Sequence, residues 1–80
     1  MSIREVVANR IVALCYEKNM TFNALARVSA VPPSTLKNVI SGVSTNPGIV
    51  TIKKICDGLE ISVNDFFDTD EFRALEQEIQ

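Results

Sequence analysis

Pro33, Ser34, Lys37, Asn38 and Ser41 recur at i, i+1, i+4, i+5 and i+8, the spacing that places residues on one side of a helix. Leu36, Val39 and Ile40 fall on the opposite side. A helix with one side in a core usually turns acids and bases toward water. This one turns out small hydrogen-bonding groups and one ammonium, a set suited to base edges and phosphate oxygens. On spacing alone, an ordinary solvated face explains the same residues equally well.

The elements that must hold this helix are readable on either side of it. A first helix is expected from about Ile3 to Lys18, with Ile3, Val6, Val7, Ile11, Leu14 and Cys15 in one apolar stripe. Ser2 and Glu5 have capping-box spacing at its start, and Asn19 is a plausible stop. Thr21 caps a second helix carrying Phe22, Leu25 and Ala26, where the small residue permits a close crossing. Ser29-Ala30-Val31 makes the turn, with Val31 as a buried plug. Pro33 suits the first turn of the next helix, while Pro32, at the cap, supplies no capping oxygen. Gly42 ends that helix, and Val43 to Pro47 form a polar loop.

A fourth helix is expected from near Gly48 to about Gly58, burying Ile49, Ile52, Ile55, Cys56 and then Leu59. Ser62 and Asp65 open a fifth, whose Val63, Phe66 and Phe67 close the core. The tail from Asp68 to Gln80 carries signals for a short sixth helix. In that reading Asp68 caps, Glu71 completes a box, and Phe72, Leu75 and Ile79 form a stripe. The expected fold class is therefore all-α, one domain over residues 1–67 with a tail at 68–80.

Eighty residues form one small domain, and 46% hydrophobic residues argue against a disordered chain. No Trp is present, so the core must be chiefly aliphatic. Cys15 and Cys56 sit on apolar faces, and the chain has no His. That excludes a zinc site or disulfide framework and points to buried thiols in a reducing cytoplasm. Met1 to Val7 is too charged for a signal peptide, and no apolar run reaches membrane-spanning length. No membrane partner is expected, and the protein is expected in the cytoplasm.

The net charge of −2 is unevenly shared. Residues 1–42 set Arg4, Arg10, Lys18, Arg27 and Lys37 against Glu5 and Glu17, leaving +3. Residues 43–80 set Lys53, Lys54 and Arg73 against eight carboxylates, leaving −5. The positive half holds the polar-faced helix, and the local field governs attraction of a polyanion. Enzymatic chemistry is hard to build here. There is no His, no base lies near either Cys, and no Gly-rich phosphate loop is present. No catalytic residue, cofactor or metal is expected.

Thr21-Phe-Asn-Ala-Leu-Ala, Val31-Pro-Pro-Ser-Thr-Leu-Lys-Asn-Val-Ile-Ser-Gly42, Asn46-Pro47, Ile49-Val-Thr-Ile-Lys-Lys-Ile and Leu59-Glu-Ile-Ser-Val-Asn-Asp-Phe-Phe67 follow one another at informative spacing. Together they resemble the Cro/C1-type, XRE-like (phage-repressor) helix-turn-helix family over roughly residues 4 to 67. The resemblance implies a five-helix, lambda-repressor-like DNA-binding domain whose third helix enters the major groove. By position it assigns Pro33, Ser34, Lys37 and Asn38 to base edges, Asn38 with the amide that pairs with adenine. It assigns Phe22, Arg27, Ser41, Ser44, Thr45 and Asn46 to the DNA backbone.

Three residues depart from the family pattern. Phe22 stands where a phosphate-bonding Gln is common, leaving only its backbone N–H for that role. Ala30 replaces a turn Gly, at a cost on the order of 1 kcal/mol if its φ is positive. Glu60 stands where the family prefers Gly, with Gly58 two residues earlier, so the fourth helix is expected to end sooner than in relatives. Arg10 and Arg27 admit two readings, phosphate clamp or solvating charge, as do Lys53 and Lys54.

The resemblance implies a sequence-specific regulator of transcription binding a double-stranded operator. With no effector domain in these residues, repression is the expected mode and no small-molecule effector is evident. Specificity implies a homodimer, for which the fifth helix and the tail are candidate surfaces. The alternative is a protein-interaction module of the same fold, an antitoxin or adaptor with weak or no DNA binding. The isoelectric point near 4.9, Phe22 and the scarcity of Arg favour that alternative.

Overall fold

The computed structural model describes residues 2–41 and 46–75. These form six helices: α1 Ile3–Glu17, α2 Phe22–Ser29, α3 Pro33–Ser41, α4 Ile49–Gly58, α5 Val63–Phe67 and α6 Asp70–Arg73. Among the described residues there is no strand. α3 packs against α1 and α2, α4 against α2 and α5, and α6 against α1.

Side-chain caps mark the starts of α1, α2, α5 and α6, whereas Gly48 opens α4 without one. Ser2 and Glu5 make the full capping box at α1, and this holds the Glu5 carboxyl below its ordinary range, the backbone N–H of Ser2 being the main cause. Thr21 Oγ1 accepts from Ala24 N at 3.1 Å. Ser62 Oγ accepts from Asp65 N at 3.0 Å, but only that half of the expected box forms. Asp is one methylene shorter than the Glu or Gln that reaches back.

Three helices stop by one device. Asn19, Ala30 and Glu60 take φ of 55°, 57° and 59°, the left-handed region that favours glycine. After each, the next residue donates its N–H to a carbonyl five positions back: Met20 to Cys15 at 2.9 Å, Val31 to Ala26 at 3.2 Å and Ile61 to Cys56 at 3.0 Å. The side chains of Met20, Val31 and Ile61 pack on the core. Their burial offsets the left-handed strain, about 1–2 kcal/mol per residue. With Glu60 in this role α4 ends at Gly58, the end expected for it.

The core is aliphatic, as composition requires. Ile11, Leu25, Leu36, Ile55 and Leu59 are fully buried with Cys56, and Phe66 is its one fully buried aromatic among the described residues. Cys15 and Cys56 are both free and buried, and desolvation pushes both thiols up from their ordinary values. Gly58 packs directly against Ser29 of α2. A Cβ built there would lie 2.9 Å from Ser29 Cβ. Ser29 is itself buried, and its hydroxyl donates to Leu25 O at 2.6 Å, so nothing polar is stranded at the crossing.

Two expectations about burial and one about the tail need correction. Ile49 is 70% exposed and Ile3 44%, because each is the first residue of its helix and overshoots the core. Thr69, not Asp68, caps α6, accepting from Phe72 N at 3.3 Å. The Asp68 carboxylate is instead held by Arg73 at 2.6 Å, and Asp70 holds the same guanidinium at 2.7 Å. α6 is thus one turn long. Phe72 finds cover within the chain, its ring 4.8 Å from that of Phe67 and 6.1 Å from that of Phe66. Ile79 lies outside the described residues.

Candidate nucleic-acid interface

The turn from α2 to α3 sets the angle at which α3 is displayed. Ala30 reverses the chain in the left-handed conformation, and Val31, 4% exposed, plugs into the core. Pro32 then contributes its carbonyl, which accepts from Leu36 N at 3.0 Å and starts the helix. Leu36 and Val39 anchor the inner face, with Ile40 half-buried at its edge. Pro33, Ser34, Lys37, Asn38 and Ser41 are all exposed. The structure therefore brings the five spaced residues together on one open face.

What those side chains already hold separates available charges from committed ones. Ser41 Oγ donates to Asn38 O at 3.4 Å, a bond within the helix. The side chains of Ser34, Lys37 and Asn38 make no hydrogen bond or ion pair with any described residue, and the same is true of Arg27 on α2. Other cations are occupied. Lys53 pairs with Asp57, and Arg73 bridges Asp68 and Asp70. Lys54 is exposed without such a partner.

Arg10 fits neither of its expected roles. Its Nε donates to Phe66 O and its Nη2 to Asp65 O, both at 2.9 Å. It thus ties α1 to the carbonyl end of α5, where a cation is favoured by the helix dipole. The sequence carried no signal for this contact, which joins residues more than fifty positions apart.

Of the expected backbone contacts, Phe22, Arg27, Ser41 and Asn46 are exposed, whereas Ser44 and Thr45 lie outside the described residues, as does Gly42, the expected helix stop. Phe22 opens α2 and lines a groove of about 500 Å³ with Asn23, Pro33, Lys37 and Ile40. Asn23 joins this face without having been singled out. It follows Phe22 in the first turn of α2, and that adjacency was its only signal in the sequence.

A sharper electrostatic signal was also present in the chain. From Lys18 to Cys56 there is no Asp or Glu, while Lys18, Arg27, Lys37, Lys53 and Lys54 fall in that stretch. The carboxylate-free run contains all of α2 and α3 and all of α4 up to Asp57. A low net charge thus coexists with a positive display surface. Among the described residues no cluster of His, Cys, Asp or Glu is arranged to hold a metal ion, and no helix is long and apolar enough to cross a membrane.

Comparison with known proteins agrees with this architecture. The chain is similar to the protein in the crystal structure of the prophage Lp1 protein 11, with a TM-score of 0.81 and 34% identity, over 92% of this chain and 97% of that one. No curated protein matches it. Residues 10–71 match the model of one family, a span that takes in most of α1 and runs into α6. By that match and by the arrangement of α2, turn and α3, the chain belongs to the Cro/C1-type helix-turn-helix DNA-binding domain family.

Proposed function

We propose that the protein is a sequence-specific transcriptional repressor that inserts α3 into the major groove of an operator. The observation that carries this reading is the outer face of α3: exposed, free of carboxylates, and with the Lys37 and Asn38 side chains uncommitted to any described residue. Pro33, Ser34, Lys37 and Asn38 lie on the face turned to the bases, Asn38 hydrogen-bonding an adenine edge and the longer Lys37 side chain carrying its ammonium on to a flanking phosphate. Arg27, Ser41, Asn46, Ser44, Thr45 and the Phe22 N–H meet the sugar-phosphate backbone, joined by Asn23. Repression by occupancy needs only a bound operator, and the proposed setting is the cytoplasm.

One such surface reads only a few base pairs, so the functional unit is a homodimer. Its two α3 helices address half-sites about 34 Å apart on one side of the duplex. The test is selection of bound duplexes from a random or genomic library at two salt concentrations. A palindromic motif whose affinity falls steeply with salt is expected. Recovery of no motif, together with salt-insensitive binding to a protein partner, transfers the fold to the adaptor or antitoxin class.

A further inference from the structure

The polar contacts above leave one part of this face unused, the apolar groove between the start of α2 and the flank of α3. Phe22, Pro33, Leu36 and Ile40 give it its apolar lining, Ser34 and Lys37 line it as well, and its volume is about 500 Å³. Phe22 is 45% exposed, an aromatic ring outside the buried core and on the surface that carries Ser34 and Lys37. No carboxylate lines the groove, and the first turns of α2 and α3 contain none. An ammonium and two helix N-terminal turns around an apolar slot match a polyanion that also offers an apolar group.

A duplex offers one such group in its major groove, the 5-methyl of thymine, and Phe is among the side chains that contact it. Resting on the DNA-binding reading above, we propose that the Phe22 ring, backed by Pro33 and Ile40, receives the 5-methyl group of a thymine and is a specificity-determining residue. A Gln at this position would hydrogen-bond phosphate and read no sequence. The Phe at the same place reads a methyl through the area it removes from water, while the adjacent backbone N–H groups and Lys37 serve the phosphates.

The probe is the duplex recovered by library selection, with each thymine replaced in turn by deoxyuridine, which deletes the methyl and nothing else. One position is expected at which the wild-type chain loses about fourfold in affinity, the worth of one buried methyl group. Phe22→Ala is expected to bind thymine and deoxyuridine equally there. The deoxyuridine scan needs no protein variant, so a folding defect cannot imitate its result. A duplex that binds but tolerates every replacement, or a loss that persists in Phe22→Ala, overturns the methyl contact and leaves DNA binding intact. If no duplex is recovered, the function itself falls and this contact with it. Concentration-dependent shifts of the Phe22 and Ile40 NMR signals without DNA would give the groove to a second copy of the chain, and overturn the proposal in that way.

Discussion

Asn38 and Lys37 are neighbours in sequence and on the surface, yet their chemistry separates what they do. An amide has one donor and one acceptor edge, so its value depends on the base opposite it. Asn38→Ala is expected to cost about 1–3 kcal/mol on the preferred site and to relax preference at one base pair. Equal weakening on all sequences, in a competition series over single-base variants, would show that Asn38 does not read a base. An ammonium is a point charge, indifferent to sequence. Lys37→Ala is expected to weaken all duplexes alike and reduce the slope of log affinity against log salt by about one, measured by titration at several ionic strengths. Arg10 belongs to a third kind. Its guanidinium is held by the carbonyls of Asp65 and Phe66, so Arg10→Ala is expected to destabilise the fold by roughly 1–3 kcal/mol. Urea unfolding checks that loss, and affinity per folded molecule should remain unchanged.

Among the elements, α1 and α2 both hold α3, and α2 also sets the angle at which it leaves the turn. α2 packs on α4 through Ser29 and Gly58, and it ends in the strained turn that aims α3. A side chain at position 58 meets the backbone as well as the Cβ of Ser29, the former at 3.1 Å from Cα, so the neighbour cannot yield by a rotamer change. Gly58→Ala is therefore expected to lower stability by about 1–3 kcal/mol despite the better helix propensity of Ala. An increase in denaturation midpoint would show that α2 and α4 have room to part. The three left-handed stops at Asn19, Ala30 and Glu60 illustrate a related balance. Each places a strained residue where glycine would relax it, and each is followed by an apolar side chain drawn into the core.

Across the whole molecule, charge is segregated along the chain. The carboxylate-free run from Lys18 to Cys56 spans α2 and α3, and most of the acids come after it, where Asp68 and Asp70 neutralise Arg73. The segregation lets an acidic protein present a positive face to a polyanion. For the proposed dimer, the spacing of two such faces becomes the whole-molecule variable. Inserting about five base pairs between the half-sites rotates one of them to the far side of the duplex. Loss of most of the dimer's affinity in a gel-shift series is expected, with recovery when about ten are inserted only if the subunits are joined flexibly. Undiminished binding at half a turn would show that the copies bind independently.

Much of this was legible in local pattern. Helical periodicity marked the buried sides of α1 to α5, and short-range capping chemistry at Ser2, Thr21 and Ser62 marked their starts, because those interactions span only three or four residues. The polar face of α3 was legible for the same reason: whether residues share a helix face is decided by spacing alone. Contacts between distant segments were not. Arg10 reaching the carbonyls of α5, Ser29 meeting Gly58, Phe22 and Lys37 lining one groove, and Phe72 covered by Phe66 and Phe67 all depend on how helices cross. Crossing angles arise from the packing of whole side-chain surfaces rather than from any single stretch of residues. The amino-acid order thus determined which surface is free of acids and faces water, and only the tertiary arrangement decided which of its cations were free to use.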